Sequence, residues 1–199
     1  MNYSLGKKLY IDSCFEELEI FKPGNQNMFT NFSSSKILKF REAAKISSNI
    51  LCDKNLNLGE SIFFSSKKCF DQLGSNFNLG IILLCAPILK IFIKGKFLDL
   101  RSSLSLMLKN ITKKEGYLIL KAIKYSQPAG LKNYIGKGNV NSQDNYLDFN
   151  EVMKIGSRWD RISKCYTDSF SEIFDFGLPF YRKLKLHQCS NNAGINVFL

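Results

Sequence analysis

The spacing of the apolar residues constrains this chain more than any other feature. Along most of its 199 residues apolar side chains recur at three- and four-residue intervals, as on one face of an α-helix. Strict alternation, the pattern of a β-strand, nowhere survives beyond about four residues. The spacing predicts an all-α fold, with a single compact domain of about seven to nine helices over residues 1–186. A polar tail is expected at residues 187–199.

Helix breakers and capping residues place several helix ends. The turn Lys22-Pro23-Gly24 ends the first helix, because the residue before a proline avoids the α region. Ser34 or Ser35 can cap a second helix. That second helix is expected to bury Ile37, Leu38, Phe40, Ala44, Ile46 and Ile50. Further helices are expected over residues 58–73, 78–92, 98–108 and 166–186, with a kink or a restart at Pro87 inside the second of these.

Two later helix starts carry the spacing of a capping box. In this motif the side chain of the first residue accepts a hydrogen bond from the backbone N–H of the fourth, and the side chain of the fourth accepts one from the backbone N–H of the first. The first runs from Thr112 to Glu115. The second runs from Asp148 to Glu151 and is expected to open a helix that continues through Ile162. Residues 126–147 are rich in Gly, Asn and Ser and form a long loop, and a loop of this length is suited to a lid over a ligand.

Charge and composition narrow the range of partners. The net charge of +11 arises mostly from lysines, and such a field concentrates polyphosphate ligands near the protein. There is no arginine-rich stripe, RNA-binding aromatic motif or zinc finger, so nucleic acid is not the expected partner. The six cysteines have wide, irregular spacings, which indicates reduced thiols. With no secretory signal and an apolar run too short to cross a bilayer, a cytoplasmic protein is expected.

Two conspicuous motifs carry no chemistry of their own. The glycine-rich segment at residues 130–138 lacks the spacing of a phosphate-binding P-loop, and Lys137 is followed by glycine rather than Ser or Thr. The single histidine, His187, lies in the polar tail and is expected to be a surface residue.

Several polar residues beside turns leave two interpretations open. Glu60, Asp71 and Asp160 are either solvated or ion-paired charges, or members of a site. Asn76 and Asn78 precede a strongly apolar helix, where side-chain amides and free N–H groups can hold an anion or a ribose. An ordinary helix cap explains them equally well.

Taken in order, the motifs resemble the triphosphoribosyl-dephospho-CoA synthase family, in a shorter branch seen in archaea and one-carbon-metabolising bacteria. The resemblance covers residues 5–180. Its blocks are Lys22-Pro23-Gly24-Asn25, Gly59-Glu60, the run from Gly74 to Pro87, Pro128-Ala129-Gly130-Leu131, and Arg158-Trp159-Asp160-Arg161-Ile162.

The resemblance implies an all-helical transferase that joins ATP to dephospho-CoA and releases adenine, or carries out a related phosphoribosyl transfer in one-carbon cofactor metabolism. It implies Glu60 and Asp160 as catalytic carboxylates and as ligands of a Mg²⁺ that accompanies ATP. It assigns substrate and phosphate binding to Lys22, Gly24, Asn25, Asn76, Asn78, Gly80, Gly130, Arg158 and Arg161.

Two departures from the family pattern motivate alternatives. Phe77 replaces a small hydroxyl residue, and Asn139 stands where an acidic residue is usual. A non-catalytic protein that binds or senses a nucleotide on the same scaffold is the first alternative. RNA binding through the lysine-rich surface is the second, and it predicts an affinity that falls steeply with salt.

Overall fold

The computed structural model describes residues 2–20, 34–95, 99–131, 134–141 and 148–185. Within these ranges the chain forms nine α-helices and no strand, which confirms the predicted all-α class. The helices are α1 Asn2–Glu19, α2 Ser34–Leu51, α3 Leu58–Leu73, α4 Leu79–Lys94, α5 Leu100–Lys109, α6 Lys113–Ser126, α7 Phe149–Gly156, α8 Arg161–Asp168 and α9 Leu178–Lys185. A 3₁₀ turn at Ala129–Leu131 and a π-helical segment at Glu172–Gly177 complete the described elements.

The predicted capping boxes form as expected. The Thr112 hydroxyl accepts from the Glu115 N–H at 3.2 Å, and the Glu115 carboxylate accepts from the Thr112 N–H at 3.1 Å. Asp148 opens α7 by the same exchange. Each box satisfies two backbone N–H groups that a helix start leaves without partners, which fixes where α6 and α7 begin.

The buried face of α2 matches the predicted one in part. Phe40 and Ala44 are buried as predicted, whereas Leu38 is 64% exposed. Ser47 and Ser48 are fully buried, and their hydroxyls donate back to carbonyls of the same helix. Buried serines are tolerated when they are hydrogen-bonded in this way, so the apolar pattern alone missed this part of the face.

Helix α3 lies at the centre of the bundle, packed against α2, α4 and α6. Gly59 lets α6 approach closely, because a Cβ at this position would lie 2.5 Å from backbone atoms of Glu115. Gly116 has the same role between α6 and α7, where a Cβ would lie 2.4 Å from the Phe149 Cβ. Two glycines therefore set the spacing of α3, α6 and α7.

Helix α4 continues through Pro87, so the predicted restart does not occur. A proline has no N–H, and inside a helix it leaves the carbonyl four residues earlier without its usual donor. That carbonyl belongs to Leu83, and the Tyr166 hydroxyl of α8 donates to it at 2.8 Å. Burial raises the pKa of the Tyr166 phenol well above its usual range, so the hydroxyl stays a donor. The Tyr166 hydroxyl thus replaces the N–H donor that Pro87 lacks in α4.

The helix predicted from Asp148 through Ile162 is two helices. Helix α7 ends at Gly156, and after a short turn α8 begins with Asp160 as its N-cap. The apolar spacing runs across this break, which is why periodicity missed it. The predicted last helix, 166–186, is also broken, because Ser169 and Phe170 adopt positive φ angles of 58° and 61°.

Several expectations lie outside the described residues. These are the turn at Lys22, Gly24 and Asn25, and the polar tail at 187–199 with His187. Where the structure describes the chain, its five cysteines form no disulfide. Among the same helices, none has both the length and the apolar content that crossing a membrane requires.

Candidate functional site

A cavity of about 390 Å³ opens between the start of α4 and the pair α7–α8. The end of α6 and two loop segments, residues 128–131 and 134–140, close its other sides. Its walls therefore come from segments that are far apart in the sequence but lie together in the fold. The volume falls in the range of small-molecule sites, which are mostly apolar clefts with a few polar groups.

Aliphatic and aromatic side chains dominate the lining, among them Leu83, Val152 and Met153. Tyr134 and Trp159 stand at the wall with ring centroids 5.5 Å apart and planes tilted by 41°. Trp159 is 57% exposed, so much of the indole faces open space. Among the lining residues that the structure describes, Asp160 is the one with a charged side chain.

The start of α4 brings Asn76 and Gly80 to the cavity. The Asn76 side-chain oxygen accepts from the Leu79 N–H at 3.1 Å, so Asn76 caps the helix. Gly80 allows α8 to come close, because a Cβ there would lie 3.2 Å from the Ile162 side chain. Gly130, in the 3₁₀ turn after α6, also lines the cavity.

Asp160 is held at the cavity by the start of α8. Its Oδ2 accepts from the Ser163 N–H at 2.7 Å and from the Ser163 hydroxyl at 2.6 Å. Among the residues that the structure describes, no group donates to its other oxygen, and no ion pair involves it. Arg161 pairs instead with Glu172, and Arg158 is exposed on the preceding turn. Of the interpretations open for Asp160, ion pairing with its neighbouring arginines is therefore not what the structure shows.

Asn78 faces the core rather than the cavity. It is 4% exposed, and its amide donates to the Ser47 hydroxyl at 3.1 Å. Ser47 also bonds the Tyr10 hydroxyl at 2.8 Å. Burial raises the pKa of the Tyr10 phenol well above its usual range, which keeps this group protonated. The contact anchors the start of α4 to α1 and α2.

Glu60 lies at the start of α3, outside the cavity lining. Its carboxylate accepts from the Asn57 N–H at 3.1 Å in a third capping box, and Lys114 approaches it at 3.9 Å. Asp71, near the other end of α3, pairs with Lys67 at 2.5 Å, which holds the pKa of its carboxyl below the usual range. The catalytic assignment of Glu60 stays a prediction.

The structure thus gathers Asn76, Gly80, Gly130 and Asp160 on one cavity. Glu60 and Asn78 lie elsewhere, and Arg158 and Arg161 flank the cavity residue Asp160 without lining the space. Sequence reasoning assigned no binding role to Tyr134, Trp159 or Tyr166, although Trp159 lies within one of the family blocks. The break at Gly156 was the available signal, since a glycine followed four residues later by a capping Asp marks a helix end and a restart.

Carboxylates for a metal ion are sparse at the cavity. In the ranges that the structure describes there is no group of three or more His, Cys, Asp and Glu side chains that could hold a metal. Mg²⁺ in nucleotide sites is bound by one or two carboxylates together with substrate phosphates. The residues present fit a magnesium ion that arrives bound to ATP with the substrate, and Asp160 is the available carboxylate at the cavity.

Comparison with known proteins points in the same direction as the motifs. No curated protein and no solved structure matches the chain. The family model described as ATP:dephospho-CoA triphosphoribosyl transferase matches residues 5–199. That match covers nearly the whole sequence, including every segment that forms the cavity. The chain therefore belongs to the ATP:dephospho-CoA triphosphoribosyl transferase family.

Proposed function

We propose that this chain transfers the triphosphoribosyl group of ATP to dephospho-CoA, with release of adenine, at the cavity between α4, α7 and α8. The observation that carries the proposal is the convergence of Asn76, Gly80, Gly130 and Asp160 on that one cavity. These residues come from three separate motif blocks of the family, and the fold brings them together.

In the proposed reaction the ribose 2′-hydroxyl of dephospho-CoA attacks C1′ of the ATP ribose. The new O2′–C1′ bond forms, the bond from C1′ to N9 of adenine breaks, and adenine leaves with the electron pair and takes up one proton, which balances the proton that the hydroxyl loses. Positive charge develops on the ribose ring during the exchange, and the attacking hydroxyl loses its proton. A carboxylate beside C1′ serves both needs.

Asp160 supplies this carboxylate in our proposal. Ser163 fixes one of its oxygens, and the other is left to face a substrate. Glu60 is the other carboxylate proposed for catalysis, from outside the cavity lining. Arg158 lies on the turn before α8 and Arg161 is the first residue of α8, and their exposed guanidinium groups supply positive charge for the triphosphate.

The test is to incubate the protein with ATP, Mg²⁺ and dephospho-CoA and to follow free adenine by chromatography. Adenine that forms only when both substrates are present supports the proposal. We expect Asp160→Asn to slow adenine formation about a hundredfold or more, since general acid–base groups contribute on this scale. Asparagine is also a good N-cap, so α8 should still form.

Glu60→Gln is the matched comparison, because glutamine also completes a capping box. Loss of activity in Glu60→Gln but not in Asp160→Asn would assign the reaction to Glu60. No adenine from the unaltered protein, together with a thermal shift on adding ATP, would replace the proposal with a non-catalytic nucleotide-binding protein.

A further inference from the structure

The interior of the cavity is unsuited to phosphate. Its lining is mostly apolar, and the charged side chain in the described lining, Asp160, is negative. A phosphate placed there would lose its hydration and be repelled by the carboxylate. The cavity therefore selects an uncharged group that carries N–H or O–H donors.

The wall of the cavity presents two aromatic rings. The Trp159 and Tyr134 rings are neighbours with planes tilted by 41°, and Trp159 is 57% exposed. The Tyr134 hydroxyl donates to the Lys137 carbonyl at 2.9 Å, and the Asn139 amide donates to the Tyr134 carbonyl at 2.6 Å. These bonds hold Tyr134 against Trp159, so the surface is in place before a ligand arrives. Nucleobases stack on aromatic side chains of this kind.

Polar groups at the cavity offer one acceptor and one donor. Asp160 has an oxygen to which no described group donates, and Asn76 uses its oxygen as a helix cap, which leaves its NH₂ as the donor. An adenosine group matches this pair, since its ribose hydroxyls donate and its ring nitrogens accept.

We infer that the cavity holds the adenine ring of a nucleotide, stacked on Trp159, with its ribose beside Asp160 and its phosphates outside the mouth. This inference rests on the proposed function, which supplies a substrate with an adenine to be held and released. It goes further in naming the portion of the substrate that enters the cavity. The pantetheine arm of dephospho-CoA is the competing occupant.

Trp159 is the chain's one tryptophan, so its fluorescence reports on this wall directly. The unaltered protein would be titrated with adenosine, with pantetheine and with inorganic tripolyphosphate. We expect adenosine to change the emission in a saturable way and the other two to leave it unchanged. A saturable change with pantetheine and none with adenosine would overturn the inference.

Variants locate the binding. Trp159→Leu should weaken adenosine binding, measured by equilibrium dialysis, about tenfold. Phe176→Leu is the matched control, because Phe176 is also 57% exposed and does not line the cavity. Tyr134→Leu keeps the fluorescent reporter and should weaken binding in the same direction. Equal affinity in Trp159→Leu and Phe176→Leu would place adenosine elsewhere.

A sugar without hydroxyls tests the contact with Asp160. In 2′,3′-dideoxyadenosine the two ribose hydroxyls that could donate to the carboxylate are absent. We expect adenosine to bind about tenfold more tightly than 2′,3′-dideoxyadenosine, and Asp160→Asn to reduce this preference. A preference that Asp160→Asn leaves unchanged would contradict the assigned position of the ribose.

The same preparations separate the inference from the proposed function. If adenine is released from ATP and dephospho-CoA while adenosine leaves Trp159 unaffected, the reaction holds and the inferred location fails. If adenosine binds at Trp159 and no adenine is released, the location holds and the transfer reaction fails.

Discussion

Ser47 shows how much one small buried residue can determine. Its hydroxyl donates to the Ala43 carbonyl at 2.7 Å, and it then accepts from Tyr10 and from Asn78. A hydroxyl has one donor and two acceptor positions, so all three are in use. This residue joins α1, α2 and the loop before α4 inside the core.

Ser47→Ala should lower the free energy of unfolding by about 1–3 kcal/mol, because it leaves the buried Tyr10 hydroxyl and Asn78 amide without an acceptor. The measurement is urea unfolding followed by circular dichroism. Ser48→Ala is the matched control, since Ser48 is equally buried but bonds only within its own helix. An equal loss in both variants would show that the contact with Tyr10 and Asn78 contributes nothing.

The residue scale also shows where sequence reasoning stops. Asn76 and Asn78 look alike in the sequence, yet one rims the cavity and the other points into the core. What separates them is Ser47, which lies 31 positions from Asn78. Local patterns give the residue types near a site, whereas the direction of each side chain depends on such distant partners.

At the scale of elements, the Pro87–Leu83–Tyr166 contact couples α4 to α8. Tyr166→Phe leaves the Leu83 carbonyl without a donor and should lower the free energy of unfolding by about 1–3 kcal/mol. Adding Pro87→Ala restores an N–H within α4 that can reach the same carbonyl. The loss in the double variant should therefore be smaller than in Tyr166→Phe alone.

Urea unfolding of the unaltered protein, the two single variants and the double variant measures this coupling as a double-mutant cycle. Additive effects would mean that Pro87 and Tyr166 act independently, and that the hydroxyl does not serve the carbonyl that the proline leaves open.

The helix pattern was predictable to the extent that local signals mark its ends. Capping boxes at Thr112 and Asp148 marked the starts of α6 and α7, and the helix expected over residues 58–73 does end at Leu73, where Gly74 follows with φ 76°. The break after Gly156 was missed, because apolar residues continue across it at helical spacing. The cavity depends on that break, so its aromatic wall could not be derived from periodicity.

At the scale of the whole molecule, buried thiols make stability depend on pH. Burial raises the pKa of Cys14 and Cys69 to about 12, and that of Cys85 and Cys165 to about 11. In the unfolded chain these thiols lose their protons near 9.0. Above that pH the unfolded state binds fewer protons, so stability falls as pH rises toward 11–12. Each thiol that is ionised only in the unfolded state lowers the free energy of unfolding by about 1.4 kcal/mol per pH unit.

Lys90 acts in the opposite direction. Burial lowers the pKa of its ammonium group from 10.5 to about 8, although the group donates to the Asp53 carbonyl at 2.6 Å. The contribution of Lys90 to the free energy of unfolding therefore rises between pH 8 and 10.5, whereas the contribution of the four thiols falls. We expect urea midpoints, measured in reducing buffer, to decline between about pH 9 and pH 10.5.

Lys90→Met removes the opposing contribution, so the decline should be steeper in this variant. The exposed Lys109→Met is the control and should keep the original slope. Midpoints that rise with pH in the unaltered protein would contradict the assignment of buried, protonated thiols.

The hydroxyl that α8 provides to α4 also bears on the order in which the bundle assembles. Tyr166 and Leu83 lie 83 positions apart, so α4 can form long before α8 reaches it. Until then the open carbonyl is bonded to water, and docking of α8 has to expel that water before the bond forms. Leu83 and Tyr166 both line the cavity. Docking of α8 therefore removes water from the Leu83 carbonyl and forms one wall of the cavity in the same step.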